Sequence, residues 1–231
     1  MKLSLAIPSV LVTLMLSACN STPSSTPAPE PAKPAAQPRA TTAAANAPQP
    51  TGPQNFDYYL LNLSWSPEFC HSHSNAPECS QHDAFVLHGL WPQNADGTYP
   101  QNCSNAPGPA DPSQFSDIYP DPNLLRHEWS THGTCSGLSP DDFFTTARTA
   151  FKSVTIPPTL TQLRQPISMT PAEILSLFTD ANPSIEKSSL ALSCGNNYLT
   201  AVEVCFDKSL HPTDCGPVRS CRANTVRIPP P

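Results

Sequence analysis

The chain has 231 residues, enough for one large domain or two small ones, and its 18 acidic and 12 basic residues give a formal net charge of −6 at pH 7. A protein that holds nucleic acid along its phosphates is normally basic, because its affinity comes largely from counterion release. The acidic balance therefore excludes a storage or regulatory nucleic-acid binder. It remains compatible with an enzyme whose positive charge is confined to a local site.

The first 19 residues have the pattern of a bacterial lipoprotein signal peptide. Lys2 gives a positive start, and residues 3–16 form an apolar run that is too short for a membrane-spanning helix. The sequence Leu-Ser-Ala-Cys that ends at Cys19 resembles the lipobox, in which the cysteine becomes the lipidated first residue of the mature protein. We therefore predict a membrane anchor on Cys19. The alternative is an ordinary signal peptide in which Cys19 is removed or incidental.

Residues 20–54 consist almost entirely of Pro, Ala, Ser, Thr and Gln, and no aromatic residue precedes Phe56. Such a segment cannot bury enough apolar surface to offset the entropy lost on ordering. We predict a disordered tether over residues 20–54 and a single folded domain over residues 55–231.

Apolar runs rich in aromatic and β-branched residues predict strands in the folded part. The predicted strands are Phe56–Trp65, Ala84–His88, Leu190–Cys194 and Tyr198–Phe206.

A capping residue followed by a proline predicts the start of each helix. Helices are expected after Asp121, after Ser139 as far as about Ser153, and after Thr170 as far as about Asp180. Strands and helices in this mixed order favour one α+β domain, with several helices packed on a central antiparallel sheet.

Cysteine usage indicates disulfides rather than a structural metal. Nine cysteines minus Cys19 leave an even set of eight, and no pair in it has the Cys-x-x-Cys spacing of zinc ribbons. The compartment of an exported chain is oxidising, so four disulfides are expected. The eight residues are Cys70, Cys79, Cys103, Cys135, Cys194, Cys205, Cys215 and Cys221.

Residues 85–92 and 127–135 concentrate the groups that can move protons near neutral pH. On a helix, Glu128 and His132 are four residues apart and share a face, while His127 lies about 100° from Glu128. We expect His88, at the end of its strand, to face them. Such a set supplies two histidines for proton transfer, a third donor for an anion and a carboxylate.

Simpler interpretations of these residues are also open. A lone histidine on an apolar strand is more often a core residue, and Trp91 is a core aromatic by default. A zinc site of the His-Glu-x-x-His kind needs histidines at i and i+4, whereas His127 and His132 are at i and i+5, about 140° apart on a helix. We therefore predict no metal and no cofactor.

The same two segments resemble the signatures of the ribonuclease T2 family, exported bacterial and other endoribonucleases with little base specificity. The first signature, His-Gly-Leu-Trp-Pro, is intact at residues 88–92. The second, His-Glu-Trp-x-Lys-His-Gly-Thr-Cys, is present at residues 127–135 with Thr131 in place of the usual lysine. The likeness extends through the Trp65-Ser-Pro stretch, the segment from Asp96 to Cys103 and the C-terminal cysteines.

The resemblance implies a disulfide-stapled ribonuclease T2-like fold and metal-independent cleavage of RNA through a 2′,3′-cyclic phosphate to a 3′-phosphate end. It implies that His132 is the general base, His88 the general acid, His127 a phosphate ligand and Glu128 a group that organises the transition state. Trp91 and Tyr99 correspond to base-stacking residues, and stacking accepts any base because every base has a π-face. The implied disulfides are Cys70–Cys79, Cys103–Cys135, Cys194–Cys221 and Cys205–Cys215.

We expect a monomer with RNA as its partner, exported to the periplasm or cell surface and held at the membrane through Cys19. Thr131 and the acidic charge leave open a catalytically weak relative that acts as an RNA-binding or surface-interaction module. A metal-dependent phosphoesterase is a third hypothesis, which the histidine spacing disfavours.

Overall fold

The computed structural model describes residues 55–81 and 83–231, all of which belong to one compact unit. The predicted signal peptide, the lipidated Cys19 and the tether over 20–54 lie outside the described residues. In the described part of the chain, none of the helices has the length and apolar character needed to cross a membrane.

Six strands form one sheet, and its longest strands are those that the apolar runs predict. Along the main path the order is β2-β1-β5-β6-β3, with β4 also paired to β5. The strands are β1 Tyr58–Trp65, β2 Phe85–Gln93, β3 Ile167–Met169, β4 Leu190–Gly195, β5 Tyr198–Phe206 and β6 Val226–Ile228.

The α+β class and the single domain are confirmed, but the sheet is mixed rather than antiparallel throughout. Tyr198 of β5 pairs with Arg227 of β6 in parallel, whereas the other strand pairs are antiparallel. The sequence missed β3 and β6 because three residues are too few for a two-residue period to stand out.

Both faces of β1 are covered. Alternate side chains of a strand point to opposite faces. Tyr59, Leu61 and Leu63 join the main hydrophobic core, while Tyr58 and Leu60 pack in a second cluster with Cys205 and Cys215. The face of β1 that carries Leu60 becomes polar further along the strand, next to the candidate site.

Five α-helices lie in the described residues: α1 Ser66–Ser72, α2 Pro122–Thr131, α3 Pro140–Ser153, α4 Pro158–Thr161 and α5 Pro171–Ala181. The three predicted starts are confirmed, because Asp121, Ser139 and Thr170 each accept a backbone N–H of the first turn, and Thr170 forms a capping box with Glu173. The short helices α1 and α4 were not predicted.

Four disulfides staple the domain, in the pairing that the family resemblance implies. They are Cys70–Cys79, Cys103–Cys135, Cys194–Cys221 and Cys205–Cys215. Cys103–Cys135 is the one that bears on the site, because it joins the loop after β2 to the turn that follows α2.

Candidate active site

His88 is the extra residue of a β-bulge. Asn62 of β1 pairs with Gly89 of β2, and the next residue, Leu63, pairs with Leu87, so His88 is left without a partner on β1. The expectation that His88 ends its strand is therefore wrong, since β2 continues to Gln93. A bulge turns side chains that a regular strand would place on opposite faces toward the same side. Here it brings the rings of His88 and Trp91 to 5.6 Å between centroids.

The imidazole of His88 lies between a carboxyl and a hydroxyl. Its Nε2 is 3.7 Å from Glu128 Oε1, and its Nδ1 is 3.1 Å from Ser64 Oγ. The side chain remains 39% exposed, which leaves it accessible to a substrate. Partial burial, and secondly the charge of His127, lower the pKa of His88 below the usual histidine value.

Glu128 has no solvent exposure at all, although it is a carboxyl on a surface helix. Its Oε2 accepts a 2.9 Å hydrogen bond from Trp91 Nε1, while its Oε1, which faces His88, has no hydrogen-bond partner among the described residues. Burial raises the pKa of Glu128 to about 8, with the Trp91 hydrogen bond opposing the shift. Below that pH the group is a neutral carboxylic acid that can donate a hydrogen bond.

Gly89 makes this arrangement possible. A Cβ at position 89 would lie 2.0 Å from Glu128 Oε2 and 2.2 Å from Trp91 Nε1. Those are the two atoms of the hydrogen bond, so a side chain at this position and the hydrogen bond exclude each other. The packing of the site therefore requires a glycine at this position of the first motif.

His132 lies at the end of α2 rather than within it, contrary to the sequence expectation. The helix ends at Thr131, and His132 is its C-cap residue, still bonded through its N–H to the carbonyl of Glu128 at 3.0 Å. Its ring stacks on Trp91 with 5.1 Å between centroids. Burial lowers the pKa of His132 to about 4, with smaller effects from the charges of His127 and His88.

The spacing argument against a metal treated His132 as helical, whereas the helix ends one residue earlier, at Thr131. His127 is exposed, its ring centroid lies 6.3 Å from that of His132, and one donor atom from each of His127, Glu128 and His132 falls within 4.8 Å of the others. Two donors bound to one zinc at ~2.1 Å lie at most ~4.2 Å apart. The absence of a metal from this site therefore stays a prediction.

The loop after β2 is tied to the end of α2. Asn102 donates its N–H to the Thr131 carbonyl at 2.8 Å, and Cys103 donates its N–H to Thr134 Oγ1 at 3.1 Å, beside the Cys103–Cys135 disulfide. The same loop carries Tyr99, whose ring is 53% exposed. Tyr99 is thus presented to solvent from a loop that is fixed to the catalytic segment.

Thr131 itself contacts the candidate phosphate ligand, since its Oγ1 is 3.5 Å from His127 Nδ1. Arg126, the neighbouring cation, donates to the side chain of Asn123 one turn earlier on the helix. That contact holds the Arg126 guanidinium on the surface of the helix.

A groove of about 290 Å³ runs beside His88 and His127. Its walls are apolar at Phe69, Val86 and Leu124 and acidic at Glu78 and Asp121. Burial raises the pKa of Glu78. The sequence did not predict that these residues line one groove, because they come from four separate segments.

Comparison with known proteins identifies the family of the chain. The Ribonuclease T2 family model matches residues 56–215. A ribonuclease of Aeromonas hydrophila is 51% identical over 90 residues, which span 38% of this chain and 41% of that protein. Ribonuclease DdI of Dictyostelium discoideum is 30% identical over 206 residues, 77% of this chain and 86% of that protein.

Among solved structures, RNase NT in complex with 5′-AMP superposes with a TM-score of 0.57 at 23% identity, over 77% of this chain and 99% of that one. At 23% identity, this structural likeness shows that the two proteins have the same fold. Together with the sequence match, it establishes that the chain belongs to the ribonuclease T2 family of endoribonucleases.

Proposed function

We propose that this protein cleaves RNA by using the ribose 2′-hydroxyl as the nucleophile. His132 takes the proton of the 2′-hydroxyl as its oxygen attacks phosphorus, and His88 gives a proton to the 5′-oxygen as the P–O5′ bond breaks. The products are a 2′,3′-cyclic phosphate and a free 5′-hydroxyl. Water then opens the cyclic phosphate to a 3′-phosphate, with the two histidines exchanging roles.

The observation that carries the proposal is the pair of histidines that both contact the ring of Trp91, with a buried carboxyl beside them. The pKa of His132, lowered to about 4, keeps it neutral and able to accept a proton over most of the physiological range. His88 is more open to solvent and can carry the proton that the leaving group needs.

Charge on the phosphate is met by two neighbours on α2. His127 is exposed and donates a hydrogen bond from its ring, and the neutral Glu128 acid donates a hydrogen bond from Oε1 to a non-bridging oxygen. A donor that is fixed in a dry site costs no reorganisation as charge develops. This gives Glu128 a role as a hydrogen-bond donor rather than as a base.

Bases are held by stacking, and weak base preference follows. Tyr99 presents an exposed ring to a base. The ring of Trp91 stacks on His132, so Trp91 positions that histidine as well as contacting a base. The groove beside His88 takes the nucleotide that carries the leaving oxygen, because His88 is the group that protonates it.

The protein acts outside the cytoplasm as a monomer, and Cys19 anchors it to a membrane as a lipoprotein. Four disulfides are typical of a domain that folds in an oxidising compartment. The N-terminal pattern described above supports the lipid anchor.

The test is a dinucleoside monophosphate assay in EDTA, with the products separated by chromatography. We expect a transient cyclic phosphate, no cleavage of the 2′-deoxy analogue, and losses of ~10²–10⁴-fold in His88→Ala and in His132→Ala. Binding without cleavage would support the weak-relative hypothesis, and loss of activity only in EDTA would support a metalloenzyme. Comparable cleavage of the deoxy analogue would overturn the mechanism.

A further inference from the structure

A row of polar side chains leads from His88 into the interior of the sheet. Asn62 and Ser64 are two residues apart on β1 and so share a face, and Asn62 pairs with Glu203 of β5. Glu203 is only 6% exposed and Asn62 only 7%. A buried carboxyl and a buried amide on an otherwise apolar sheet are costly unless they are hydrogen-bonded.

Their hydrogen bonds connect without a gap. Glu203 Oε1 is 3.2 Å from Asn62 Nδ2 and 2.9 Å from Ser193 Oγ. Asn62 Oδ1 is 3.5 Å from Ser64 Oγ, which is the longest link, and Ser64 Oγ is 3.1 Å from His88 Nδ1. The β-bulge gives His88 this contact, because it frees the residue from regular pairing with β1.

The donor and acceptor atoms of these groups give the hydrogen bonds along the row one direction. Glu203 Oε1 accepts from both of its neighbours, so the amide of Asn62 points its NH₂ group at Glu203 and its oxygen at Ser64. Ser64 has a single hydrogen, and when it donates that hydrogen to Asn62 Oδ1 it accepts from His88 Nδ1. In that arrangement the His88 proton lies on Nδ1, and Nε2 is the nitrogen turned toward Glu128.

We propose that Ser64 and Asn62 are positioning residues that connect His88 to the buried Glu203, holding it in the Nδ1–H form and favouring the charged imidazolium that delivers its proton from Nε2. This inference rests on the proposed role of His88 as general acid. Metal-bound and catalytic histidines commonly have their second nitrogen fixed in this way by a carboxylate or carbonyl. Here the carboxyl acts at a distance, through a hydroxyl and an amide.

The row acts against the two influences that disfavour a charged His88, its burial and the charge of His127. From α2, the charge of His127 disfavours a second charge on His88, and Glu128 is neutral below about pH 8. Glu78 and Asp121 line the groove on the other side. When the Ser64 hydroxyl is removed, the burial of His88 and the repulsion by His127 remain. The hydrogen bond between Ser64 and His88, which compensates for them, is lost.

The experiment is ¹⁵N NMR of the full protein with labelled histidine, which reports both the tautomer and the pKa of His88 without requiring catalysis. We expect the Nδ1–H tautomer in the parent protein. Ser64→Ala should give a mixture of tautomers and lower the His88 pKa by about one unit, a tenfold change in the protonation equilibrium. In kinetics it should lower kcat about tenfold with little change in KM.

Three further variants sharpen the test. Ser64→Thr retains a hydroxyl and should restore the tautomer and most of kcat. Glu203→Gln retains the acceptor for Asn62 but removes the charge, so it should lower the His88 pKa by less than Ser64→Ala does. Ser168→Ala, at an exposed strand position of β3, should change neither quantity.

The proposal is overturned if parent His88 is in the Nε2–H form, or if Ser64→Ala leaves the tautomer and pKa unchanged. Ser64 also lines the groove beside His88, so a rise in KM alone would assign it to substrate contact and would also overturn the proposal. If His88→Ala keeps its activity, the general-acid role fails, whereas the NMR result still decides whether the row positions His88.

Discussion

Trp91 donates its indole N–H to Glu128 at 2.9 Å across the space directly above Gly89. This contact joins the two sequence motifs, one on a strand and one on a helix, and it orients the carboxyl that lies 3.7 Å from His88 Nε2. Trp91 and Glu128 are 37 positions apart along the chain, yet they meet in one site.

The first prediction follows from the space above Gly89. Gly89→Ala should break the hydrogen bond, because the new methyl would lie 2.0 Å from Glu128 Oε2 and 2.2 Å from Trp91 Nε1. We expect at least a tenfold loss of kcat/KM, and a destabilisation of ~1–3 kcal/mol in urea unfolding, as is typical of overpacking. Gly195→Ala is the control, since its Cβ would meet Thr200 at an ordinary 3.5 Å. Full activity in Gly89→Ala would show that the hydrogen bond has no catalytic importance.

The second prediction concerns the protonation state of Glu128. If the carboxyl acts as a neutral donor, Glu128→Gln retains an acceptor for Trp91 and an N–H donor toward the phosphate. It should keep activity within about tenfold of the parent, whereas Glu128→Ala should lose ~10²–10³-fold, the range for one lost transition-state donor. Steady-state kinetics at pH 5.5 compares the two. Equal losses in both variants would mean that the negative charge is required.

The third prediction is an acidic pH optimum. His132 must be neutral to accept a proton, so kcat/KM should rise as the pH increases through about 4. His88 must be protonated to donate, so the rate should fall again once the pH rises above the pKa of His88. That pKa is lowered from 6.5. The optimum should therefore lie between roughly 4 and 6.5. A profile of kcat/KM against pH measures it, and a maximum above pH 7 would contradict these assignments.

The fourth prediction concerns the missing lysine. Thr131→Lys places a permanent cation beside His127, and a good contact to the developing charge is worth at most ~10²–10³ in kcat. We expect at least a severalfold gain. Thr149→Lys adds the same charge at an exposed position of α3 and should leave kcat unchanged. A Thr131→Lys variant that is no faster would mean that another group, such as Arg126, already provides this charge.

The fifth prediction concerns the N-terminus, outside the described residues. A labelled fatty acid should be incorporated at Cys19, and Cys19→Ala should release the protein from membranes with unchanged specific activity. Cell fractionation with a ribonuclease assay on each fraction measures both. Unaltered membrane association of Cys19→Ala would refute the lipid anchor.

The sequence by itself determined what depends on near neighbours. Helix starts at Asp121, Ser139 and Thr170 were correct because a cap is formed by residues within one turn. The long strands were correct because their apolar runs extend over several residues. The two motifs identified the four chemical groups of the site, and the family resemblance supplied the disulfide pairing.

Only the tertiary structure decided how those groups act. The bulge at His88 arises from pairing with β1, and it puts His88 and Trp91 on one side, which a regular alternation would not. His132 leaves the helix, so its position could not be calculated from helical periodicity. The protonation state of Glu128 depends on burial against β2, and the Glu203 row on contacts between strands more than a hundred residues apart along the chain. Burial and strand register are set by distant partners, and for that reason no local pattern encodes them.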